Sequence, residues 1–365
     1  MNYRILISII ILSISLIIFG IIITEKDDEI NIKLSPNEEE YLKKLTVSFS
    51  DIAEARTNER IFLEKAEKLR EINISQIQTP HYLKQYKNNI FMISGASRLI
   101  HRISLSQPNA RFKFGKGVGK DPGEIIAYSG CVFYKNRLYI LCDGKMTIEV
   151  FSINGDFIKS IQLTTGEINK LQFVKYNKFM GIARNNRIKY YYIYNFKGEL
   201  INKIGGPLIN KKVGSYLYHE NNIYQLSDSS YLQVPTRLGI FGYYEDDSLI
   251  YVQETVSGIR DPKIQVSYLG DDRYMESANF TNNYFPCRSI TGNNKLLIFQ
   301  AVKIENKINK SIFDVYDKNS LEYKYSFRLD GNEKGRVRHP TLIENNVLIT
   351  NQVSKLAFWK IPIKK

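Results

Sequence analysis

The sequence predicts an all-β fold of repeated four-stranded units that follows an N-terminal helical region. After Ile74, short runs of Ile, Val, Leu, Tyr and Phe alternate with Gly, Asn and Asp turns, which is typical of short antiparallel strands. The stretches 131–163 and 171–204 share one four-strand rhythm, and 287–329 repeats it less closely. Four antiparallel strands per unit, repeated around a ring, indicate a β-propeller.

The number of blades follows from a mark on the first hairpin of each unit, an Asn or Asp before an apolar strand. The marks stand at Asn88, Asn136, Asn177, Asn221, Asp247, Asn294 and Asn345. Most steps between them suit a four-stranded blade of roughly 40–50 residues, but the step from Asn221 to Asp247 is too short. We therefore expect six blades with an extra hairpin in one, or seven with one truncated. The last unit, 341–363, shows three strands, and a strand around 72–78 should complete it and close the ring.

One stretch also resembles a known family. The loop FGKGVGKDPGE at 114–124 is followed by the strand YILCD at 139–143 and by IEVFSINGD at 148–156. This combination resembles an NHL-type repeat and is similar to the bacterial exported six-bladed propellers, which have a Gly-rich, Pro-Gly-Glu loop between blades. The likeness is good over 112–163, fair over 171–206 and weak elsewhere. It favours six blades, and it implies little about chemistry because propellers include binding modules, lyases and hydrolases.

The N-terminal region predicts a membrane anchor. Residues 5–23 are an uninterrupted run of 19 apolar or small residues, and such a helix just crosses a hydrocarbon core of about 30 Å. Arg4 precedes the run and acidic residues dominate its far flank, so the positive-inside tendency places everything after Thr24 outside the cytoplasm. We expect an uncleaved signal anchor over 1–24, with the lipid bilayer as its partner. The alternative is a cleaved signal peptide and a secreted protein, although no small-x-small cleavage site follows the run.

Residues 25–72 have a helical pattern instead of a strand pattern. Ser35 and Pro36 suit a helix start. Apolar residues then recur at three- and four-residue steps, at Leu42, Leu45, Phe49 and Ile52 and again at Phe62, Ala66 and Leu69. The pattern predicts a juxtamembrane helical stalk over 25–72, which packs on the following domain or dimerises as a short coiled coil. The propeller then occupies 73–365.

The charge is strongly basic and unevenly placed. Lys and Arg number 51 against 37 Asp and Glu, which gives a net charge of +14. A low-GC genome would supply much of this excess, since Lys, Asn, Ile, Tyr and Phe share A/T-rich codons and are all over-used. Codon bias does not predict the positions, however: the junctions 111–124, 203–212 and 331–340 hold ten basic residues and three acids, whereas the hairpin turns hold five of each. Loops between second and third strands, including the one at Lys145, add further basic residues to this face.

The blade-junction face is therefore the predicted binding surface. Its candidate residues are Arg111, Lys113, Lys116, Lys120, Arg184, Arg187, Lys211, Lys212, Arg336, Arg338 and His339.

No catalytic residue, metal or cofactor is predicted. The Gly-rich loop lies between two strands, whereas a phosphate-binding loop needs a following helix. The four His residues do not share a hairpin, and His339 alone could face the central channel. Cys131 and Cys142 lie on one hairpin face but two residues out of register, so we expect free buried thiols.

These observations predict a membrane-tethered, extracytoplasmic propeller that acts as a non-catalytic binding or scaffold module. Its basic junction face would engage an acidic protein or an anionic envelope polymer. Nucleic acid is not an expected partner, because the domain would lie outside the cytoplasm. The alternative is a propeller-type lyase or hydrolase with a metal site near the central channel.

Overall fold

The computed structural model describes residues 51–365 apart from several gaps. The gaps are residues 56, 58, 79, 108–110, 165–167, 176–177, 184–190, 205–207, 209–220, 247, 260–262, 271–272, 280–283, 306–307, 330–337, 353 and 364–365. The predicted anchor, 1–24, and residues 25–50 of the predicted stalk lie outside the described residues. Among the described residues, no helix is both long enough and apolar enough to cross a bilayer.

Six four-stranded antiparallel sheets, here called blades A to F, follow one another along the chain after strand β1 (Glu67–Asn73). Blade A has β2 (Pro80–Tyr86), β3 (Asn89–Ser94), β4 (Ile100–Ser104) and β5 (Arg111–Phe114). Blade B has β6 (Cys131–Tyr134), β7 (Arg137–Cys142), β8 (Thr147–Ser152) and β9 (Phe157–Gln162). Blade C has β10 (Ile168–Lys175), β11 (Lys178–Ala183), β12 (Tyr191–Asn195) and β13 (Leu200–Ile204).

The second half of the ring follows the same plan, with one added hairpin. Blade D has β14 (Asn221–Gln225), β15 (Ser230–Pro235), β16 (Ile240–Glu245) and β17 (Ser248–Glu254). A separate two-stranded sheet of β18 (Lys263–Gly270) and β19 (Arg273–Asn279) comes next. Blade E has β20 (Tyr284–Gly292), β21 (Leu296–Glu305), β22 (Ile308–Asp317) and β23 (Tyr323–Phe327). Blade F has β24 (Arg338–Ile343), β25 (Val347–Gln352) and β26 (Lys355–Lys360), and β1 completes it.

The first strands of the six blades line the centre of the ring. Each of β2, β6, β10, β14 and β20 contacts the first strand of the next blade, and β24 contacts β2. The ring is therefore closed, and the all-β prediction with six four-stranded blades is confirmed.

The extra mark in blade D comes from turn chemistry and not from a seventh blade. Asn221 begins β14, the first strand, and the mark at Asp247 falls directly before β17, the last strand. Asn and Asp favour tight turns because their short side chains tolerate positive φ, as at Asp246 with φ of 44°. These residues therefore mark a turn without showing which turn of the blade it is.

The strand that closes the ring begins earlier in the chain than the predicted strand around 72–78. Strand β1 pairs antiparallel with β26, with Glu67 opposite Lys360 and Asn73 opposite Lys355. The prediction of a helical stalk is therefore wrong over residues 67–72. The apolar stripe does not form either, because Ala66 is buried while Leu69 is 48% exposed. Pairing with β1 provides hydrogen-bond partners for the backbone groups on the open edge of β26. This stabilisation outweighs the helical preference that the spacing of apolar residues predicts.

The described residues of 51–66, all but 56 and 58, run along the outer strands of blades D and E, and we call them the strap. The Ala53 amide donates to the Val252 carbonyl at 3.0 Å, and the Glu254 amide donates to the Ala53 carbonyl at 2.9 Å. Further along, Phe62 forms a parallel bridge with Ser326, and Ala66 forms one with Leu329. The strap therefore lies against two blades before β1 enters blade F.

The strap places one charge against the interior of blade E. Arg60 Nε donates to Asp314 Oδ1 at 2.8 Å, and Arg60 Nη2 donates to Asp314 Oδ2 at 3.0 Å. Arg60 also donates to the hydroxyls of Ser257 and Tyr284. Asp314 lies on β22 with only 1% of its side chain exposed, and it accepts another hydrogen bond from Ser326 Oγ at 2.6 Å. This buried ion pair, the Arg60–Asp314 pair, fastens the strap to the ring.

The cysteines are free and buried, as the register predicts. Cys131 lies opposite Ile140, so Cys142 is two positions out of register on the neighbouring strand. Burial raises the pKa of Cys131 to about 11 and that of Cys142 to about 12. Both thiols are therefore protonated and weakly nucleophilic at neutral pH.

Candidate functional site

The charged side chains of Lys145 and Glu149 lie beneath the Gly-rich loop between blades A and B and bind its backbone. Lys145 Nζ donates to the carbonyls of Asp121 and Glu124 at 2.9 and 3.0 Å, and it forms an ion pair with Glu149 Oε1 at 2.9 Å. Glu149 Oε2 accepts the Gly123 amide at 2.9 Å. Strands β5 and β6 flank the loop, so it is a blade connection and not a phosphate-binding loop. Gly115, Gly117 and Gly123 have φ between 84° and 93°, which glycine alone adopts without strain.

Glu149 remains ionised although it is fully buried. Burial alone would raise its pKa, but hydrogen bonds from Lys145, Ser160, the Gly123 amide and Thr147 together hold the pKa below its usual value. The carboxylate therefore stabilises the fold above the unfolded-state pKa of roughly 4.3. This contribution is lost as the pH falls through the lower folded-state pKa.

Glu149→Gln should lower the free energy of unfolding at pH 7 by about 2–4 kcal/mol, because the substitution leaves Lys145 without its buried partner. The difference from the wild type should shrink as the pH falls below about 4, where the wild-type carboxylate becomes protonated. Thermal or urea unfolding measured between pH 3 and pH 8 checks both statements. A difference that stays constant over this range would contradict the assignment of a charged Glu149.

The structure places three of the predicted surface residues at the boundary of blades A and B. Lys113 lies near the end of β5, and Lys116 and Lys120 lie in the loop after it, all three exposed. Lys116 Nζ is 5.5 Å from the centre of the Phe157 ring. Arg111 differs from the sequence assignment, since it lies at the opposite end of β5 from the junction and donates to the Asn73 carbonyl.

The other predicted surface residues are not described in full. Arg184, Arg187, Lys211, Lys212 and Arg336 lie outside the described residues. Arg338 and His339 belong to β24, the innermost strand of blade F, and only their backbone is described.

Sequence counting also assigned one cation wrongly. By sequence, Lys145 counts among the basic residues of the junction face, but its side chain is only 11% exposed. It forms an ion pair with Glu149 and donates hydrogen bonds to three loop carbonyls. Lys113, Lys116 and Lys120 remain as the exposed described cations of this junction. We call these three residues the basic surface.

The described histidines do not form a metal site. His101 is buried on β4, where burial and the nearby Lys113 and Arg111 lower its pKa, so the ring is neutral at pH 7. Within the described part of the chain, no three His, Cys, Asp or Glu side chains lie close enough together to hold a metal ion. The lyase or hydrolase alternative stays a prediction.

A second feature, which the sequence did not reveal, lies between blades B and C. Tyr134, Lys135, Arg137, Tyr139 and Phe196 line a cavity of about 390 Å³. The first four come from the β6–β7 hairpin, and Phe196 comes from the β12–β13 turn. A signal was present in the repeated Tyr-Lys-Asn turn of blades A and B, but only the tertiary structure shows which of the two turns opens a cavity.

The fold defines this chain as a six-bladed β-propeller with a basic surface at one blade junction. Its structure is similar to that of a putative exported protein from Bacteroides fragilis, with a TM-score of 0.51 and 10% identity over 84% of this chain and 99% of that chain. It is also similar to a member of the DUF4221 family from Bacteroides vulgatus, with a TM-score of 0.52 and 9% identity over 82% of this chain and 98% of the other. Virginiamycin B lyase from Staphylococcus aureus matches at a TM-score of 0.47 and 12% identity, over 80% of this chain and 99% of the lyase.

At these identities the likeness shows the fold alone. No family model matches the sequence. No curated protein matches it either. The NHL-type likeness of residues 112–163 therefore remains a resemblance.

Proposed function

We propose that this propeller is a membrane-tethered, extracytoplasmic binding or scaffold module without catalytic activity, and that its basic surface binds an anionic envelope polymer or an acidic protein. The carrying observation is the ordered loop between blades A and B. Lys145 and Glu149 neutralise each other beneath this loop, while Lys113, Lys116 and Lys120 are exposed to solvent. Because Lys145 binds the loop carbonyls, the backbone that carries Lys116 and Lys120 loses less conformational entropy when a polyanion binds.

The tether and the location are supported by sequence and by fold. The apolar run at 5–23 is long enough for one membrane crossing, and its charge flanks favour export of the propeller. A protein of similar fold from Bacteroides fragilis is described as a putative exported protein. The propeller would then face envelope polymers, many of which are polyanions.

One vesicle experiment tests the tether, its orientation and the basic surface together. Right-side-out membrane vesicles that carry the full-length chain should bind fluorescent polyglutamate or polyglycerol phosphate, and inside-out vesicles should not. The triple variant Lys113→Glu, Lys116→Glu, Lys120→Glu should weaken binding at least about tenfold at low salt, since each reversed charge replaces an attraction by a repulsion.

A matched control carries the same change of charge elsewhere. Lys87, Lys178 and Lys295 are exposed lysines in hairpin turns, and their triple substitution by Glu should leave binding within about twofold of the wild type because the reversed charges lie away from the basic surface. Equal losses in the two triple variants would mean that net charge, and not this surface, binds the polymer. Binding by inside-out vesicles alone would contradict the proposed orientation.

A further inference from the structure

The cavity between blades B and C lies on the hairpin face of the ring, away from the basic surface. The β6–β7 turn consists of Lys135 and Asn136, with φ of 46° and 60°. This two-residue turn pairs Tyr134 directly with Arg137, so their side chains share one side of the sheet. Tyr139, two residues after Arg137, lies on the same side. The hairpin therefore directs an aromatic ring, a guanidinium and a second aromatic ring toward blade C.

The neighbouring boundary, between blades A and B, has the same turn but is filled. There Tyr86 of the Tyr86-Lys87-Asn88 turn stacks on Phe133 with ring centres 4.7 Å apart and planes 15° from parallel. Its hydroxyl donates to Asn136 Oδ1 at 2.9 Å. In blade B the equivalent Tyr134 meets Phe196 nearly edge-on, with ring centres 6.0 Å apart. The shared turn sequence therefore does not by itself open a cavity, and the packing of blades B and C decides it at this boundary.

The walls of the cavity are aromatic and are held in place by packing. Phe196 stacks on Phe179 with ring centres 4.6 Å apart, and Tyr139 lies 5.7 Å from Phe196. Tyr139 is 1% exposed. Rings fixed in this way offer apolar surface to a ligand ring without a large loss of conformational entropy on binding. The volume falls within the range of small-molecule sites, about 300–1,000 Å³.

The two charged groups at the cavity, Lys135 and Arg137, are cations that only donate hydrogen bonds. Lys135 and Arg137 are exposed at its mouth, and none of the five lining residues is acidic. Burial raises the pKa of Tyr139, although a hydrogen bond with Arg137 acts in the opposite direction, so the phenol is neutral at pH 7. A ligand that satisfies this arrangement carries negative charge at one end and an apolar ring face at the other.

We infer that this cavity binds a small ligand in which a six-membered ring carries a single carboxylate. The ring would pack against Tyr134 and Phe196, and the carboxylate would accept hydrogen bonds from Lys135 and Arg137. A hexuronic acid unit of an acidic polysaccharide and a free aryl carboxylate share this chemistry. The site is independent of the proposed function, because it shares no residue with the basic surface.

Calorimetric titration of the full-length chain tests the site with four probes. D-glucuronate and benzoate supply the acid on the two kinds of ring, and D-glucose and benzyl alcohol are their uncharged counterparts. At least one acid should bind saturably and at least about tenfold more tightly than its counterpart, the equivalent of one charge-assisted hydrogen bond. The acid that binds shows whether the natural source is a sugar acid or an aryl acid.

Three variants locate the binding. Lys135→Gln with Arg137→Gln should weaken it at least about tenfold, and Phe196→Leu should weaken the acid and its counterpart together. Lys87→Gln is the matched control, because Lys87 occupies the equivalent turn at the filled boundary, and it should leave binding unchanged.

Three results would overturn the inference. They are the absence of saturable binding by both acids, equal affinity for acid and counterpart, and a Lys135, Arg137 double variant that binds like the control. The triple Glu variant of the basic surface should bind the acid normally, so failure of the proposed function and failure of this site are distinguishable.

Discussion

Removal of residues 1–73 should abolish cooperative folding of the propeller, whereas removal of residues 1–50 should not. The longer deletion takes away the strap and β1, so β26 becomes an open edge in blade F. It also uncovers the core around Trp359, which is fully buried and packs in the same cluster as the buried Ala66. The net stability of a domain is only about 5–15 kcal/mol, and the loss of one strand of a closed ring is of that order.

The measurement compares the two truncated proteins in soluble yield, far-ultraviolet circular dichroism and thermal unfolding. The protein without residues 1–50 serves as the control, because it keeps every described contact of the strap. It should unfold in one sharp transition, and the protein without residues 1–73 should aggregate or unfold without one. Equal unfolding temperatures would show that β1 is dispensable and would refute closure by this strand.

Arg60→Leu should lower the free energy of unfolding by about 3–5 kcal/mol, because the substitution leaves the buried Asp314 carboxylate without its cation. The two residues are separated by 254 positions in the sequence, so the pair also holds the strap against blade E. Urea unfolding monitored by Trp359 fluorescence measures the change. Lys324→Ala is the matched control: it breaks an ion pair with Asp317 of similar length, 3.0 Å, that is exposed, and its loss should cost about 0–1 kcal/mol.

A second variant separates the charge from the packing. Asp314→Asn added to Arg60→Leu removes the unpaired buried charge and should recover part of the lost stability. If Arg60→Leu were no more destabilising than Lys324→Ala, the strap would not be fastened at this pair. If the double variant were less stable than Arg60→Leu alone, the loss would arise from packing around Asp314 and not from its charge.

The blades could be predicted because their signals are local. Tight turns such as Lys135-Asn136 and apolar runs such as 137–142 lie within a few residues of one another, and this short range determines hairpins. The identity of the closing strand could not be read in this way. Residues 67–72 have helical spacing, and only the vacant edge of β26, almost 300 residues later, makes them a strand.

The basic surface could likewise be predicted only in part from the sequence. Sequence alone predicted that basic residues are concentrated at the blade junctions, because the order of strands and loops predicts the face on which each connection emerges. Tertiary structure decided which of those cations are exposed. Lys145 forms an ion pair with Glu149 beneath the Gly-rich loop, while Lys116 and Lys120 of the loop itself are exposed to solvent.

Sequence by itself determined an all-β, strongly basic protein of repeated four-stranded units and left six or seven blades open, since periodicity, turn residues and charge are properties of neighbouring residues. Only the tertiary structure decided how the ring closes, how Arg60 meets Asp314, and where a cavity opens between two blades. The physical reason is that each of these depends on contacts between segments far apart in the chain, and no local pattern specifies which segments will meet.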